Sequence, residues 1–150
     1  MASDSLKTYQ KNILKSIFIF FIKNEKSTSE HLAEHLSVNQ DYVIESCTFL
    51  SNIGMISKKN EEWVLTELGR NQLTVIFAGG VFDIIHPGHL FTLSAAKKLG
   101  DILIVSIARN KTVKKLKDRY PLNEEELRLN LVNALRIVDL ALLGSEDNKF

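Results

Sequence analysis

Val75-Ile76-Phe77-Ala78-Gly79-Gly80-Val81-Phe82-Asp83-Ile84-Ile85-His86-Pro87-Gly88-His89 is the stretch that decides how the rest of the chain is read. Its opening, Thr74 to Ala78, is rich in β-branched and aromatic residues and predicts a strand buried on both faces of a parallel sheet. Gly79 and Gly80 then let the backbone turn and let a ligand come close. Asp83 follows, and two histidines stand three residues apart with Pro87 and Gly88 between them. From Pro87 the pattern becomes helical, with Leu90, Leu93, Ala96, Lys97 and Leu99 at spacings of three and four. Pro87 suits the first turn, where its missing N–H is no loss.

A polyphosphate ligand would use every part of this stretch. Free N–H groups at a helix N-terminus, with the positive end of the helix dipole, attract phosphate oxygens. Gly88 leaves those groups unshielded, and His86 and His89 share a face of the first turn. Taken singly, a histidine beside an apolar run is more often a satisfied core residue, and Gly-Gly after a strand is more often a plain turn. A zinc pair lacks the three-residue helical spacer and nearby cysteines. The fixed order of strand, Gly-Gly, Phe-Asp, His-Pro-Gly-His and helix is what favours a phosphate site.

Gly80 to His89 resembles the signature of the cytidylyltransferase-like nucleotidyltransferases, in which a His-x-Gly-His box opens the helix after the first strand. The resemblance implies an α/β fold with a Rossmann-like parallel sheet over residues 73–150. It also implies two further strands and a last helix beyond Phe150, so that 73–150 is the front part of the domain. Ala108 to Lys117 and Leu142 to Ser145 look most like the archaeal-type FAD synthetases, which join FMN to the AMP part of ATP.

Outside this region, Ile102 to Ala108 predicts a second buried strand and Val138 to Gly144 a third. Strand, helix and strand make a right-handed crossover, with ligands bound beyond the carboxyl ends of the strands. Arg109 falls on that edge with Gly80, Val81, Phe82 and Asp83. The cation-rich run Lys111 to Pro121 reads as a surface loop leaving it. The resemblance implies a lysine there against the triphosphate, one of Lys111, Lys114, Lys115 and Lys117, with Lys114 and Lys117 favoured. Asn123 is expected to cap a helix with Glu124, Glu125 and Glu126 in its first turn and Leu127, Leu131, Ala134 and Leu135 on its buried face. On that helix Arg128 is either an ion-pair partner of Glu124 or, by the resemblance, a phosphate ligand.

Before residue 73 the pattern is different. Lys7 to Lys23 predicts a helix with Ile13, Ile17, Phe20 and Phe21 on its apolar face. Ser27, Thr28 and Ser29 are N-cap candidates for a short helix through Leu32 and Leu36, and Glu30 stands three residues after Ser27 as in a capping box. A third helix, from about Asp41 to Ile53, is expected to bury Val43, Ile44, Cys47 and Leu50 and to end at Gly54. Met55 to Thr66 reads as a hairpin, and Glu67 to Leu73 as a short closing helix. Three helices and a hairpin resemble a winged helix-turn-helix, a small α+β domain over residues 1–72. Its third helix carries Asp41 and Glu45 and no Lys or Arg, and eight Lys+Arg stand against nine Asp+Glu up to residue 72. Phosphate contacts dominate DNA affinity and need cations, so an interaction, dimerisation or regulatory role is favoured, with DNA binding as the minority reading.

Among 150 residues with a net charge of +1, the single Cys47 excludes an internal disulfide and fits a reducing cytoplasm. The apolar run Ile17 to Ile22 is too short to span a bilayer. The expected activity is nucleotidyl transfer from an NTP, ATP favoured over CTP, to a phosphate-bearing acceptor such as FMN, with Mg²⁺ and release of pyrophosphate. The resemblance assigns catalysis to His86, His89, Lys117 and Arg128. It assigns nucleotide binding to Gly80, Val81, Phe82, Asp83, Gly88, Arg109 and Lys114, and it implies a homodimer. Asp83 would act through metal-bound water or would only brace its turn, and no protein metal site is expected. The alternatives are a CTP-dependent glycerol-3-phosphate or phosphoethanolamine cytidylyltransferase, and a nucleotide-sensing winged-helix regulator without turnover.

Overall fold

The computed structural model describes residues 6–145, in two compact units, the first ending at Leu73 and the second beginning at Thr74. In the first unit, helices α1 (Thr8–Lys23), α2 (Ser29–Leu36) and α3 (Gln40–Asn52) enclose Ile13, Leu14, Ile17, Leu32, Val43, Cys47 and Leu50. β1 (Ile56–Lys59) and β2 (Glu62–Leu65) pair antiparallel, and a single turn, α4 (Glu67–Arg70), follows. Asn60 and Glu61 both have positive φ (48° and 66°), as the tight turn between twisted strands requires. Gly54, at φ 76°, follows the end of α3 as expected.

Three readings of this unit need correction. Phe21 is 79% exposed, because Ile13, Ile17 and Phe20 already fill the inward stripe of α1. Ile44 is exposed as well, and the inward face of α3 runs through Val43, Cys47 and Leu50. Thr28, not Ser27, caps α2 by accepting the His31 N–H at 3.3 Å. Ser27 is buried and donates to the Trp63 carbonyl at 2.5 Å, joining the hairpin to the start of α2. Burial also pushes the Cys47 thiol up to about 12.

The second unit is a three-stranded parallel sheet in the order β3 (Val75–Gly80), β4 (Ile102–Ile107), β5 (Leu140–Leu143). α5 (Pro87–Lys97) links the first two strands, while α6 (Asn110–Lys117) and α7 (Glu125–Asn133) lie between β4 and β5. The six residues of β4 are all buried, which explains why they read as an apolar run interrupted only by Ser106. Leu93, Leu103, Val105, Ile107, Val132, Val138 and Ala141 form the core, with Ile76 and Ala78 packed against it.

β3 is not buried on both faces: it is an edge strand, and Phe77 is 62% exposed. On α5 only Leu93 is buried, and Leu90 and Leu99 are exposed. The cation-rich run is a helix over Asn110–Lys117, not a loop. Lysine is a good helix former, and Val113 anchors the turn in the core. Asn123 does not cap α7, whose N-cap is Glu124 without a side-chain bond. Leu127 and Leu131 face outward, Ala134 is the C-cap, and the inward positions are Arg128 and Val132, four residues apart.

Candidate functional site

The carboxyl edge of β3 leads directly into the His box. After Gly80 the chain reverses at Phe82, which is buried with φ at 52°. Such a conformation in an aromatic residue is uncommon and needs support from its surroundings. Gly80 provides it, since a Cβ there would lie 2.7 Å from the Phe82 ring. The Phe82 ring in turn sits 5.2 Å, centroid to centroid, from that of His89.

His86 is the N-cap of α5. Its Nδ1 accepts the Gly88 N–H at 3.1 Å, and its own N–H points at His89 Nδ1 at 3.4 Å. A neutral imidazole has one donor and one acceptor nitrogen. With Nδ1 of both rings accepting from backbone, the proton of each lies on Nε2. The two rings stack with centroids 4.0 Å apart, so two Nε2–H donors stand together at the N-terminus of an eleven-residue helix. Gly88 is fixed by the same geometry, because a Cβ there would come within 2.9 Å of His86 Cε1. Desolvation, and then the neighbouring His86, hold the His89 pKa below its ordinary value.

Asp83 braces the turn. Its two carboxylate oxygens accept the N–H groups of Leu122 and Asn123, each at 2.9 Å, and Asn123 returns a bond to the Asp83 carbonyl. Desolvation works to raise this carboxyl, but those two N–H groups, with Arg128 and Arg119, hold it below the usual carboxylate range.

Arg128 is fully buried. Its Nε donates to the Asn123 carbonyl (3.0 Å) and Nη1 to that of Val81 (2.6 Å). Nη2 reaches the Ala108 carbonyl and Asn110 Oδ1, both at 2.8 Å. One guanidinium thus ties together the exit of β3, the exit of β4 and the entry to α7. None of these four bonds goes to Glu124. A charged residue inside a helix face reads as surface unless the carbonyls waiting for it are known.

Arg109 is likewise engaged, donating from Nε to the Gly144 carbonyl (2.8 Å) and from Nη1 to Glu125 Oε1 (3.0 Å). Glu125 Oε2 accepts the Asn110 N–H at 2.7 Å and so caps α6 from a distant helix. That N–H, followed by the opposing effect of desolvation and then Arg109, leaves the Glu125 carboxyl below its ordinary value. Lys114 is held by Asp118, at 2.8 Å to the carbonyl and 3.0 Å to Oδ1.

A cleft of about 360 Å³ opens between these elements, lined among others by Val81, Phe82, Asp83, His89, Lys117 and Arg119. Val81, Phe82, Asp83, His89 and Lys117 of the expected set therefore meet in one place, next to His86 and Gly88. Arg109, Lys114 and Arg128 do not line it. Sequence reasoning missed Glu125, whose only signal was its place in an acidic first turn, and Arg119, lost within a run of cations. Among the described residues no group of three His, Cys, Asp or Glu could hold a metal ion. Both Asp83 oxygens and both histidine Nδ1 atoms are already bonded to backbone, so these groups, among the described residues, do not form a cage for one.

Two ring N–H donors, a helix N-terminus and a cationic cleft at the carboxyl edge of a parallel sheet are the donors a phosphate chain would need. Residues 77–149 match the family model described as cytidylyltransferase-like. The curated relatives include an FAD synthase of Methanocella paludicola, 53% identical over 78 residues, 52% of this chain and 55% of that protein. Another is an FAD synthase of Methanosarcina barkeri, 50% identical over 78 residues with the same coverage, 52% and 55%. The chain thus spans about half the length of the curated relatives it matches. Among solved structures, the lipopolysaccharide core biosynthesis protein of Thermoplasma volcanium is 42% identical, covering 51% of this chain and 62% of that one, with a TM-score of 0.48. No helix among the described residues is long and apolar enough to cross a membrane.

Proposed function

We propose that the protein is a cytoplasmic nucleotidyltransferase that moves AMP from ATP to FMN, forming FAD and pyrophosphate. A phosphate oxygen of FMN attacks the α-phosphorus of ATP in line, the bond from that phosphorus to the bridging oxygen breaks, and pyrophosphate leaves with the electron pair. His86 and His89 donate from Nε2 to the phosphate oxygens as charge grows on them, and the N–H groups at the start of α5 add to the effect. Lys117 neutralises charge on the leaving phosphates. Arg128 and Asp83 act through others, holding the Val81–Asp83 turn in place; Arg109 holds α6 to α7. A divalent ion, by preference Mg²⁺, would come bound to the nucleotide and supply charge neutralisation, since the described residues offer it no cage.

The observation that carries this reading is the paired Nδ1 acceptance at His86 and His89, which sets both rings as Nε2–H donors at a helix N-terminus. The FAD synthase relatives favour ATP and FMN over CTP and glycerol 3-phosphate. For the first unit we propose a winged helix-turn-helix that binds a protein. Lys58, one of its two neighbouring hairpin lysines, is paired with Glu61 at 2.7 Å, which weakens the case for DNA.

The test is pyrophosphate release with ATP or CTP crossed against FMN or glycerol 3-phosphate. It is run on the 150-residue chain and on the chain continued to the length of its relatives, with His86→Ala as control. Release with ATP and FMN alone, lost in the variant, is the expected result. Release with CTP alone would keep the chemistry and change the substrates. Silence in every pairing would overturn the enzyme reading and turn attention to a regulator, tested by salt-dependent DNA binding and its loss on mutating Lys58 and Lys59.

A further inference from the structure

The cleft beside the His box has a cationic wall at the end of α6. That helix stops at Asp118, whose φ of 52° reverses the chain, and the residues on either side of it, Lys117 and Arg119, both line the cleft. Lys114, one turn earlier, is outside it and bonded to Asp118. The single carboxylate in the lining, Asp83, has each oxygen on a backbone N–H. Two cations therefore outweigh one anion, each of whose oxygens already accepts a backbone N–H. At about 360 Å³ the cleft lies near the lower end of the ~300–1,000 Å³ usual for small-molecule sites, enough for a short phosphate chain and too little for two substrates. A single phosphate has one centre, whereas the donors here come in two groups, His89 on α5 and the Lys117–Arg119 pair.

We propose that Arg119, together with Lys117, grips the terminal phosphates of a linear polyphosphate, so that Arg119 is a substrate-binding residue for the leaving pyrophosphate. The proposal rests on the transfer reading above for its biological use, though not for its binding test. Arginine presents a planar fork suited to two phosphate oxygens, and lysine a point charge, so the two are complementary rather than redundant.

Calorimetric titration of the 150-residue chain with pyrophosphate, tripolyphosphate and orthophosphate tests it directly. Arg119 is exposed, so Arg119→Ala should fold normally, and Lys115→Ala, exposed on α6 and outside the cleft, is the control. Pyrophosphate should bind more tightly than orthophosphate. Arg119→Ala should weaken it about tenfold or more, as expected for loss of a charged hydrogen-bond pair. Arg119→Lys should recover part of the loss, and Lys115→Ala should change it less than about twofold. No pyrophosphate binding, equal affinity for orthophosphate, or an unaltered Arg119→Ala would each overturn the proposal. In the chain continued to the length of its relatives, Arg119→Ala should raise KM for ATP and leave KM for FMN unchanged. Transfer that is indifferent to Arg119 would sink this proposal alone; pyrophosphate binding that depends on Arg119 without any transfer would uphold it and sink the transfer reading.

Discussion

Replacing Arg128 by methionine removes a buried guanidinium that makes four hydrogen bonds, to the carbonyls of Asn123, Val81 and Ala108 and to Asn110 Oδ1. A hydrogen bond to a charged group contributes about 1.5–3 kcal/mol, and bonds sharing one side chain do not add in full. Methionine keeps most of the volume but leaves the acceptors without donors, so the loss should be about 3–5 kcal/mol, as for breaking other buried charged networks. That is a large part of the about 5–15 kcal/mol that holds a small domain together. Urea unfolding, with amide exchange of the buried β4 strand as the local readout, measures it. Arg128→Lys is the decisive companion, because it keeps the charge but cannot span acceptors on three separate segments. If Arg128 braces the site, lysine should recover less than about half of the lost stability. Both variants unfolding within about 1 kcal/mol of the parent, with transfer abolished and partly restored by lysine, would refute the reasoning and return Arg128 to direct contact with phosphate.

Gly88→Ala should separate stability from activity. An added Cβ within 2.9 Å of His86 Cε1 displaces the ring and should lower the transfer rate about 10- to 100-fold, while a thermal melt stays unchanged or rises slightly because alanine suits a helix. His89 should give the second unit an acid-sensitive term. Desolvation lowers its folded pKa beneath the ordinary 6.5, so the unfolded chain takes the proton first; stability present above that value is lost as pH falls through the folded pKa. The urea midpoint should therefore be lower at about pH 5.5 than at about pH 7.5, and His89→Gln should flatten part of the difference. The remainder includes His35, shifted the same way chiefly by burial. Ser27→Ala should cost about 1–3 kcal/mol, by leaving the Trp63 carbonyl short of a buried donor, with the intrinsic fluorescence of Trp63 as probe.

The elements were legible where local rules decide them. The apolar run Ile102–Ile107 could only be a central strand, and Pro87 with the box around it fixed the start of α5. What the pattern hid were groups whose partners lie far along the chain. Arg128 reads as a surface charge because its acceptors are contributed by Val81 and Ala108, and nothing local chooses between a reactive and a bracing Asp83 because the N–H groups it accepts come from Leu122 and Asn123. Periodicity placed Leu127 and Leu131 inward because it weighs hydrophobicity alone, whereas a guanidinium with four partners can occupy the inner face of α7 instead. α6 was hidden for a similar reason, since the carboxylate that caps it is fifteen residues downstream at Glu125.

The segment from Lys114 to Pro121 is fastened at both ends: Val113 is sunk in the core, and Leu122 and Asn123 hang from the Asp83 carboxylate. Lys117 and Arg119 ride on the exposed span between those fastenings. Such a span can flex without drifting away, like a strap whose buckles stay shut. Capturing a phosphate chain then requires ordering a few side chains and a short piece of backbone rather than folding a free loop, so little conformational entropy is lost on binding. The same two fastenings would let the strap slacken again once pyrophosphate has formed, leaving the His box undisturbed for the next nucleotide.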